Sequence, residues 1–168
     1  MTEAENHLAY LSIGSNLEDC YLNCLKGIHL LGEEDAICIL ERSPFYKTKP
    51  VDYLDQDWFI NGVVKIKTTL DPLPLLQVLR KIEKKIGRKS EDVRFGPRIL
   101  DMDIIFYDDS VLNQAELVIP HPRMHKRCFV LKPLCDIDPD IVHPVLNKTV
   151  QSLLSNIAGR DQEVILYR

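Results

Sequence analysis

The chain has 168 residues, a mass of 19.4 kDa and a formal net charge of −4. Its 45% hydrophobic and 27% charged residues are those of a globular chain long enough to bury roughly 68–70% of its unfolded surface, and the acidic balance excludes a whole-molecule electrostatic binder of nucleic acid. No apolar run reaches the ~20 residues that cross a bilayer, Met1 to His7 lacks the basic-then-apolar pattern of a signal peptide, and Cys20, Cys24, Cys38, Cys128 and Cys135, with no C-x-x-C pair, predict reduced thiols in the cytoplasm.

In chain order, Leu8 to Ile13 reads as a strand ending at Gly14-Ser15. Ser15 and Glu18 suggest a capping box, ahead of a helix whose apolar stripe is Leu17, Tyr21, Leu25, Ile28 and Leu31. Ala36 to Tyr46 reads as a second strand, Thr48 to Asp57 as a loop, and Trp58 to Lys67 as a third strand. Asp71-Pro72 opens a second helix carrying Leu75, Leu79, Ile82 and Ile86, which Gly87 stops. Arg88 to Arg98 is a charged loop of the length that tends to be functional. Ile99 to Tyr107 is the clearest strand, Val111 to Ile119 a short edge hairpin, and Pro120 to Lys126 a turn or short helix. Thr149 to Ile157 is a small helix and Val164 to Tyr167 a last strand. The β-α-β-β-α-β order predicts one α+β domain over 1–168 with a ferredoxin-like core.

The strongest chemical signal is Leu100-Asp101-Met102-Asp103-Ile104-Ile105-Phe106. On a strand Leu100, Met102, Ile104 and Phe106 make one apolar face, and Asp101 and Asp103 point together to the other, with α-carbons about 7 Å apart. Two carboxylates at ~5 Å repel by roughly 3 kcal/mol at an effective dielectric near 20. A cation removes that cost, and hard oxygen donors without His or Cys favour Mg²⁺, which takes one or two carboxylates plus substrate phosphates. A bare D-x-D is as readily a solvated surface pair. Here Arg94-Phe95-Gly96-Pro97-Arg98 runs straight into the strand, and the Arg80–Arg98 stretch carries Arg80, Lys81, Lys84, Lys85, Arg88, Lys89, Arg94 and Arg98 against Glu83, Glu91 and Asp92. That pattern suits a Mg-nucleotide, its metal on the acids and its remaining phosphate oxygens on guanidiniums.

Downstream, Pro120-His121-Pro122-Arg123-Met124-His125-Lys126-Arg127-Cys128-Phe129 is a second polar patch. Pro122 between the two histidines, and no third ligand at suitable spacing, argue for phosphate contacts by His121 and Arg127 over zinc. Gly14-Ser15-Asn16 lacks the P-loop pattern and reads as a turn and cap. Phe59 and Asn61 share a strand face, where a phenyl and an amide can read the face and edge of a flat heterocycle.

Taken together, these segments resemble the 6-hydroxymethyl-7,8-dihydropterin pyrophosphokinase family from about Leu8 to Ile157. The shared text is Ala9 to Leu17, Ser43 to Thr48, Phe59-Ile60-Asn61, Ile82-Glu83, Gly87-Arg88, Arg94 to Ile104, Pro120 to Met124, Arg127 and Phe129. The resemblance implies a three-layer α-β-α sandwich built on the ferredoxin-like core. It implies transfer of the β,γ-diphosphate of ATP to a reduced pterin in folate synthesis, with Asp101 and Asp103 holding two Mg²⁺ ions and Arg88 and Arg98 stabilising the moving charge. The pterin would lie between Phe59 and Phe129, read by Asn61, Thr48 and the backbone near Val51, with Phe95 on the lid side. Glu83, Arg88, Arg94, Arg98, Ile104, His121 and Arg127 would serve ATP, and Arg88 to Gly96 would form a mobile lid. Lys49 stands where proline is common, Phe95 where tryptophan is frequent, Pro122 where many members have tyrosine, and Glu116 where some have an ATP-binding arginine. The expected protein is a cytoplasmic monomer with small-molecule substrates, no nucleic-acid or membrane partner, no second folate enzyme fused in this chain, and room for association with other folate enzymes. A nucleotidyltransferase on the same core and a non-catalytic nucleotide- or RNA-binding module are the rivals.

Overall fold

The computed structural model describes residues 4–89 and 93–168. Among them run β1 (His7–Ser15), α1 (Cys20–Gly32), β2 (Ile37–Arg42), β3 (Tyr46–Thr48), β4 (Phe59–Thr68), α2 (Pro72–Ile86) and β5 (Asp101–Tyr107). There follow the hairpin β6 (Leu112–Asn113) and β7 (Val118–Ile119), a 3-10 turn (Met124–Lys126), α3 (Cys128–Ile137), α4 (Val150–Ile157) and β8 (Val164–Leu166). The main sheet has the order β5-β1-β4-β3-β8, with β2 also on β4, and every pairing is antiparallel.

Apolar residues leave the sheet in two directions. Ala9, Leu11, Ile13, Ile60, Val64, Ile66, Met102 and Ile104 meet α1 and α2 through Leu31, Leu75 and Leu79. Tyr10, Val63, Ile105 and Phe106 meet α3 and α4 through Val130, Leu131, Leu134 and Leu153. Full burial of each such aliphatic or aromatic side chain stabilises by about 1.5–3 kcal/mol. The second core is bordered by a half-buried polar layer. The Tyr10 hydroxyl donates to Asp138, which also takes Lys65 Nζ at 2.7 Å, and the Tyr46 hydroxyl donates to Asp136, which takes Lys132 Nζ at 2.6 Å. Both carboxylates lie at the C-terminal end of α3, so these bonds tie that helix to β1, β3 and β4.

The elements differ from the sequence reading in four places. The strand carries on to Ser15, because Asn16 pairs with the Arg98 backbone through its own N–H (3.0 Å) and its Oδ1 (2.8 Å). The capping box is therefore not formed. Asp19 caps α1, accepting from the Leu22 N–H at 3.0 Å, and Glu18 turns the chain at φ 58°. The single strand expected over Ala36 to Tyr46 is broken at Ser43-Pro44. There Ser43 Oγ takes the Val63 N–H at 2.9 Å in place of a backbone carbonyl, and Pro44 has no N–H to give.

The third correction concerns β5. Its pairing with β1 steps from Tyr10↔Phe106 to Leu11↔Ile104, leaving Ile105 as an extra residue. A bulge reverses the alternation beyond it. Leu100, Met102 and Ile104 face α1 and α2 as expected, whereas Phe106 joins the α3 and α4 core. Fourth, α3 was not foreseen. Its length is short and Pro133 lies inside it, although the Val130, Leu131 and Leu134 spacing is helical.

Candidate active site

The face of the sheet that carries α3 and α4 is covered only at one end. At the other end β1, β4 and β5 present Ser12 and Gly14, Phe59 and Asn61, and Asp101, Asp103 and Ile105 to a cleft of about 350 Å³. Its walls are the loop after β3 (Thr48 to Gln56), the segment Arg94 to Arg98, the turn His121 to Arg127, and Phe129 on α3. Thr48, Val51, Phe59, Asn61, Arg88, Arg94, Phe95, Arg98, Asp101, Asp103, His121, Arg127 and Phe129 all line this one space. They come from positions spread over some eighty residues of sequence.

On the floor, the two aspartates keep the shared face their spacing predicts. Asp101 sits recessed among protein groups with 39% of its side-chain surface still open to the cleft. Burial first, and then the Asp103 charge, push its pKa up to about 7, against the lowering pull of Arg88, Arg98 and Arg127. Asp103 is also raised, by burial and by Glu83. Behind them Glu83, 4% exposed, is pushed up to about 7 by burial and by Asp101. Its Oε1 accepts the Met102 N–H at 2.8 Å and its Oε2 the Arg88 Nη1 at 2.5 Å; the same guanidinium nitrogen reaches Asp101 Oδ1 at 3.0 Å. Glu83 therefore sets Arg88 from behind the cleft and does not line it. Ile104, 2% exposed, faces the opposite core and does not line it either.

At the end nearer β3, Asn61 Nδ2 donates to Thr48 Oγ1 at 2.6 Å, with both residues buried. Gly14 lies opposite Asn61 in the β1–β4 pairing, and a Cβ there would come within 2.2 Å of Asn61 Oδ1. Only glycine leaves that amide its position. Phe59 and Phe129 line this end.

The walls are cross-linked. Gln56 donates to the Phe95 carbonyl at 2.9 Å and accepts from Asn16 Nδ2 at 2.9 Å, so the loop after β3, the end of β1 and the Arg94–Arg98 segment are joined. Phe95, at φ 59°, is flanked by the guanidiniums of Arg123 (4.4 Å from the ring centroid), Arg94 (4.9 Å) and Arg127 (6.0 Å). The His121 N–H donates to the Ile105 carbonyl at 3.0 Å, placing the turn against β5. Burial and the neighbouring Arg127 and Arg123 push the His121 pKa down to about 4, so its ring is neutral at pH 7. The lid expected over Arg88 to Gly96 includes residues 90–92, which lie outside the described residues.

Asp52, Gln56 and Arg123 also line the cleft and were not foreseen. Arg123 stood in the basic patch beside Arg127, which was a usable signal. Asp52 and Gln56 lie in a loop without periodicity, and nothing local marks them out.

Comparison with known proteins agrees with this geometry. Residues 10–139 match the family described as 7,8-dihydro-6-hydroxymethylpterin-pyrophosphokinase (HPPK). The chain is 39% identical over 156 residues to the folic acid synthesis protein fol1 of Schizosaccharomyces pombe, covering 93% of this chain and 21% of that protein. It is 41% identical over 132 residues to the 2-amino-4-hydroxy-6-hydroxymethyldihydropteridine pyrophosphokinase of Bacillus subtilis, covering 79% of this chain and 78% of that one. It spans only about a fifth of fol1 from S. pombe and from Pneumocystis carinii. The crystal structure of wild-type Plasmodium falciparum HPPK-DHPS with pterin and p-hydroxybenzoate superposes with a TM-score of 0.74 at 20% identity, covering 95% of this chain and 43% of that one, which is a likeness of fold. A match over most of the chain, and close identity to a relative of similar length, place this chain in the 7,8-dihydro-6-hydroxymethylpterin-pyrophosphokinase family.

Proposed function

We propose that this chain transfers the β,γ-diphosphate of ATP to the hydroxymethyl oxygen of 6-hydroxymethyl-7,8-dihydropterin, giving the pterin diphosphate and AMP in folate synthesis. One observation carries this reading. The Asp101/Asp103 pair and Phe59 and Asn61 open into the same cleft from the same sheet face, and Phe129 joins them there from α3.

Two carboxylates raised by burial and by neighbouring acids, Asp103 beside Asp101 and Glu83 beside Asp103, are a site that a cation would relieve. Among the described residues no three or more His, Cys, Asp or Glu side chains group as a metal site. The remaining ligands would then come from phosphate and water, which suits Mg²⁺. Asp101 and Asp103 would hold the two ions, which would supply charge neutralisation at the phosphates.

The protein's own work is positioning and charge. Asn61, Thr48 and the backbone near Val51 read the pterin edge, Phe59 and Phe129 hold its faces, and Phe95 closes over it. The hydroxymethyl oxygen attacks the β-phosphorus in line. The bond from that phosphorus to the α,β-bridging oxygen breaks, AMP leaves with the oxygen, and Asp103 accepts the hydroxyl proton. Arg88 and Arg98 stabilise the charge on the diphosphate and on AMP. Arg94, Arg127 and neutral His121 bind the rest of the nucleotide, supported by Glu83 through Arg88. The β5-β1-β4-(β2/β3) order, with helices on both faces, supports a ferredoxin-like core elaborated into a three-layer α-β-α sandwich. We propose a cytoplasmic monomer acting as one domain over 1–168.

Incubation with ATP, Mg²⁺ and the reduced pterin tests this reading. Formation of AMP and the pterin diphosphate is expected. Release of pyrophosphate would indicate nucleotidyl transfer instead.

A further inference from the structure

Arg127 is the most enclosed of the cation–anion pairs on the cleft walls, with 12% of its side chain exposed. It faces two sets of carboxylates. On the floor, its charge lowers the pKa of both Asp101 and Asp103. On the wall, its Nη2 donates to Asp52 Oδ2 at 2.9 Å, and the other oxygen of Asp52 lies 3.9 Å from Arg123 Nη1. Asp52 thus spans the two guanidiniums that flank Phe95 from the His121–Arg127 turn. It belongs to the loop that follows Thr48 and carries Val51 into the cleft.

We infer that Asp52 is an internal stand-in for a ligand phosphate: it holds Arg127 and Arg123 across the cleft, and a nucleotide polyphosphate must displace it to bind. This inference rests on the functional reading above and adds to it a residue that sets nucleotide affinity. The physical argument is competition for donors. A guanidinium offers its in-plane N–H pairs to one bidentate anion at a time. Arg127 cannot serve Asp52 and a phosphate group with the same pair. A triphosphate with its metal carries more charge than one carboxylate and wins, but the affinity is reduced by the population in which Asp52 is bound. Displacement also frees the loop after β3 from the His121–Arg127 turn. Nucleotide binding therefore loosens the wall that holds Thr48 and Val51, and by linkage an occupant of the Phe59–Asn61 end that holds this loop in place alters nucleotide affinity by the same factor.

Titration calorimetry with a non-hydrolysable ATP analogue and Mg²⁺, without pterin, tests the inference on the intact chain. Asp52→Asn keeps the side chain's shape and removes its charge; it is expected to bind the analogue about threefold or more tightly than the unaltered chain, the size of a partly exposed ion pair. Asp52→Glu keeps the charge and is expected to stay within about twofold. Equal or weaker binding by Asp52→Asn overturns the inference. An equal gain in Asp52→Glu overturns it as well, since loop distortion and not charge would then be the cause. Absence of analogue binding by the unaltered chain overturns the functional reading and this inference with it, whereas binding without a gain in Asp52→Asn overturns this inference alone.

Discussion

Asn61 donates its amide to the Thr48 hydroxyl across the β3–β4 pair at 2.6 Å, and among the described residues no hydrogen-bond donor takes its Oδ1, directly opposite Gly14. An acceptor held in this way can read an N–H on a ring edge. Gly14→Ala would force a methyl group to within 2.2 Å of that oxygen. The expected outcome is a KM for the pterin raised about 10- to 100-fold, the cost of one or two misplaced buried hydrogen bonds, with the KM for ATP changed far less. Steady-state kinetics with each substrate varied in turn would show the split.

Removing either floor carboxylate should abolish transfer while the fold survives. Asp101→Asn and Asp103→Asn are isosteric, and each relieves like-charge crowding. We expect turnover to fall at least about 10³-fold, the scale of losing a main electrostatic contact of the transition state, with a melting temperature equal to or above that of the unaltered chain. Turnover near normal in either variant would refute the assignment of the metal site.

The same crowding fixes a pH dependence. Asp101 and Glu83 both sit at about 7 in the folded chain, well above ordinary carboxylates. A raised folded pKa means that the native state holds the proton more tightly than the unfolded chain. Their contribution to stability is present below about pH 4 and is lost as pH rises through about 7. His121 acts in the opposite sense over the same range, since its depressed pKa makes acid destabilising. The carboxylate part is isolated by comparing the unaltered chain with Asp101→Asn: the advantage of the variant in melting temperature should grow between pH 4 and 8. Added Mg²⁺ should raise the melting temperature of the unaltered chain more at pH 8 than at pH 5. A Mg²⁺ effect independent of pH would contradict this.

Phe129→Ala removes one proposed wall of the pterin site and the ring beneath Arg127, whose guanidinium lies 5.4 Å from its centroid. Loss of an aromatic stacking face costs about 0.5–1.5 kcal/mol beyond area burial. We expect weaker pterin binding by fluorescence titration, with α3 intact, because the helix is held by the fully buried Val130, Leu131 and Leu134, against which Phe129 is only partly buried.

Much of this was readable in the chain itself, and the exceptions have physical causes. The aspartates of β5 and the Phe59/Asn61 pair followed from a strand period of two, which needs no knowledge of neighbours. Gly87 ended α2 as expected, at φ 128°. Helix α3 was missed because it is short and holds Pro133; the failures that follow involve a distant partner overriding a local preference. Asn16 bonds Arg98, so Ser15 stays in the strand and does not cap a helix. Ser43 bonds Val63 and interrupts what looks like one strand. The cleft role of Asp52 depends on arginines more than seventy positions away, which no local pattern encodes.

The extra residue at Ile105 makes β5 behave as two half-strands with opposite phase. Upstream, odd positions look into the cleft; downstream, Phe106 turns toward Tyr10, meeting its ring edge-on at 6.3 Å. Simple alternation through these same residues, without the bulge, would turn the phenyl out of the α3 side of the sheet. That core would lose its contact with Tyr10 while both acids kept their orientation. The bulge across this short interval therefore works as an independent determinant of the architecture, separate from residue identity. Variants that straighten the strand there should lose seating of the terminal helices before they lose the acidic pair.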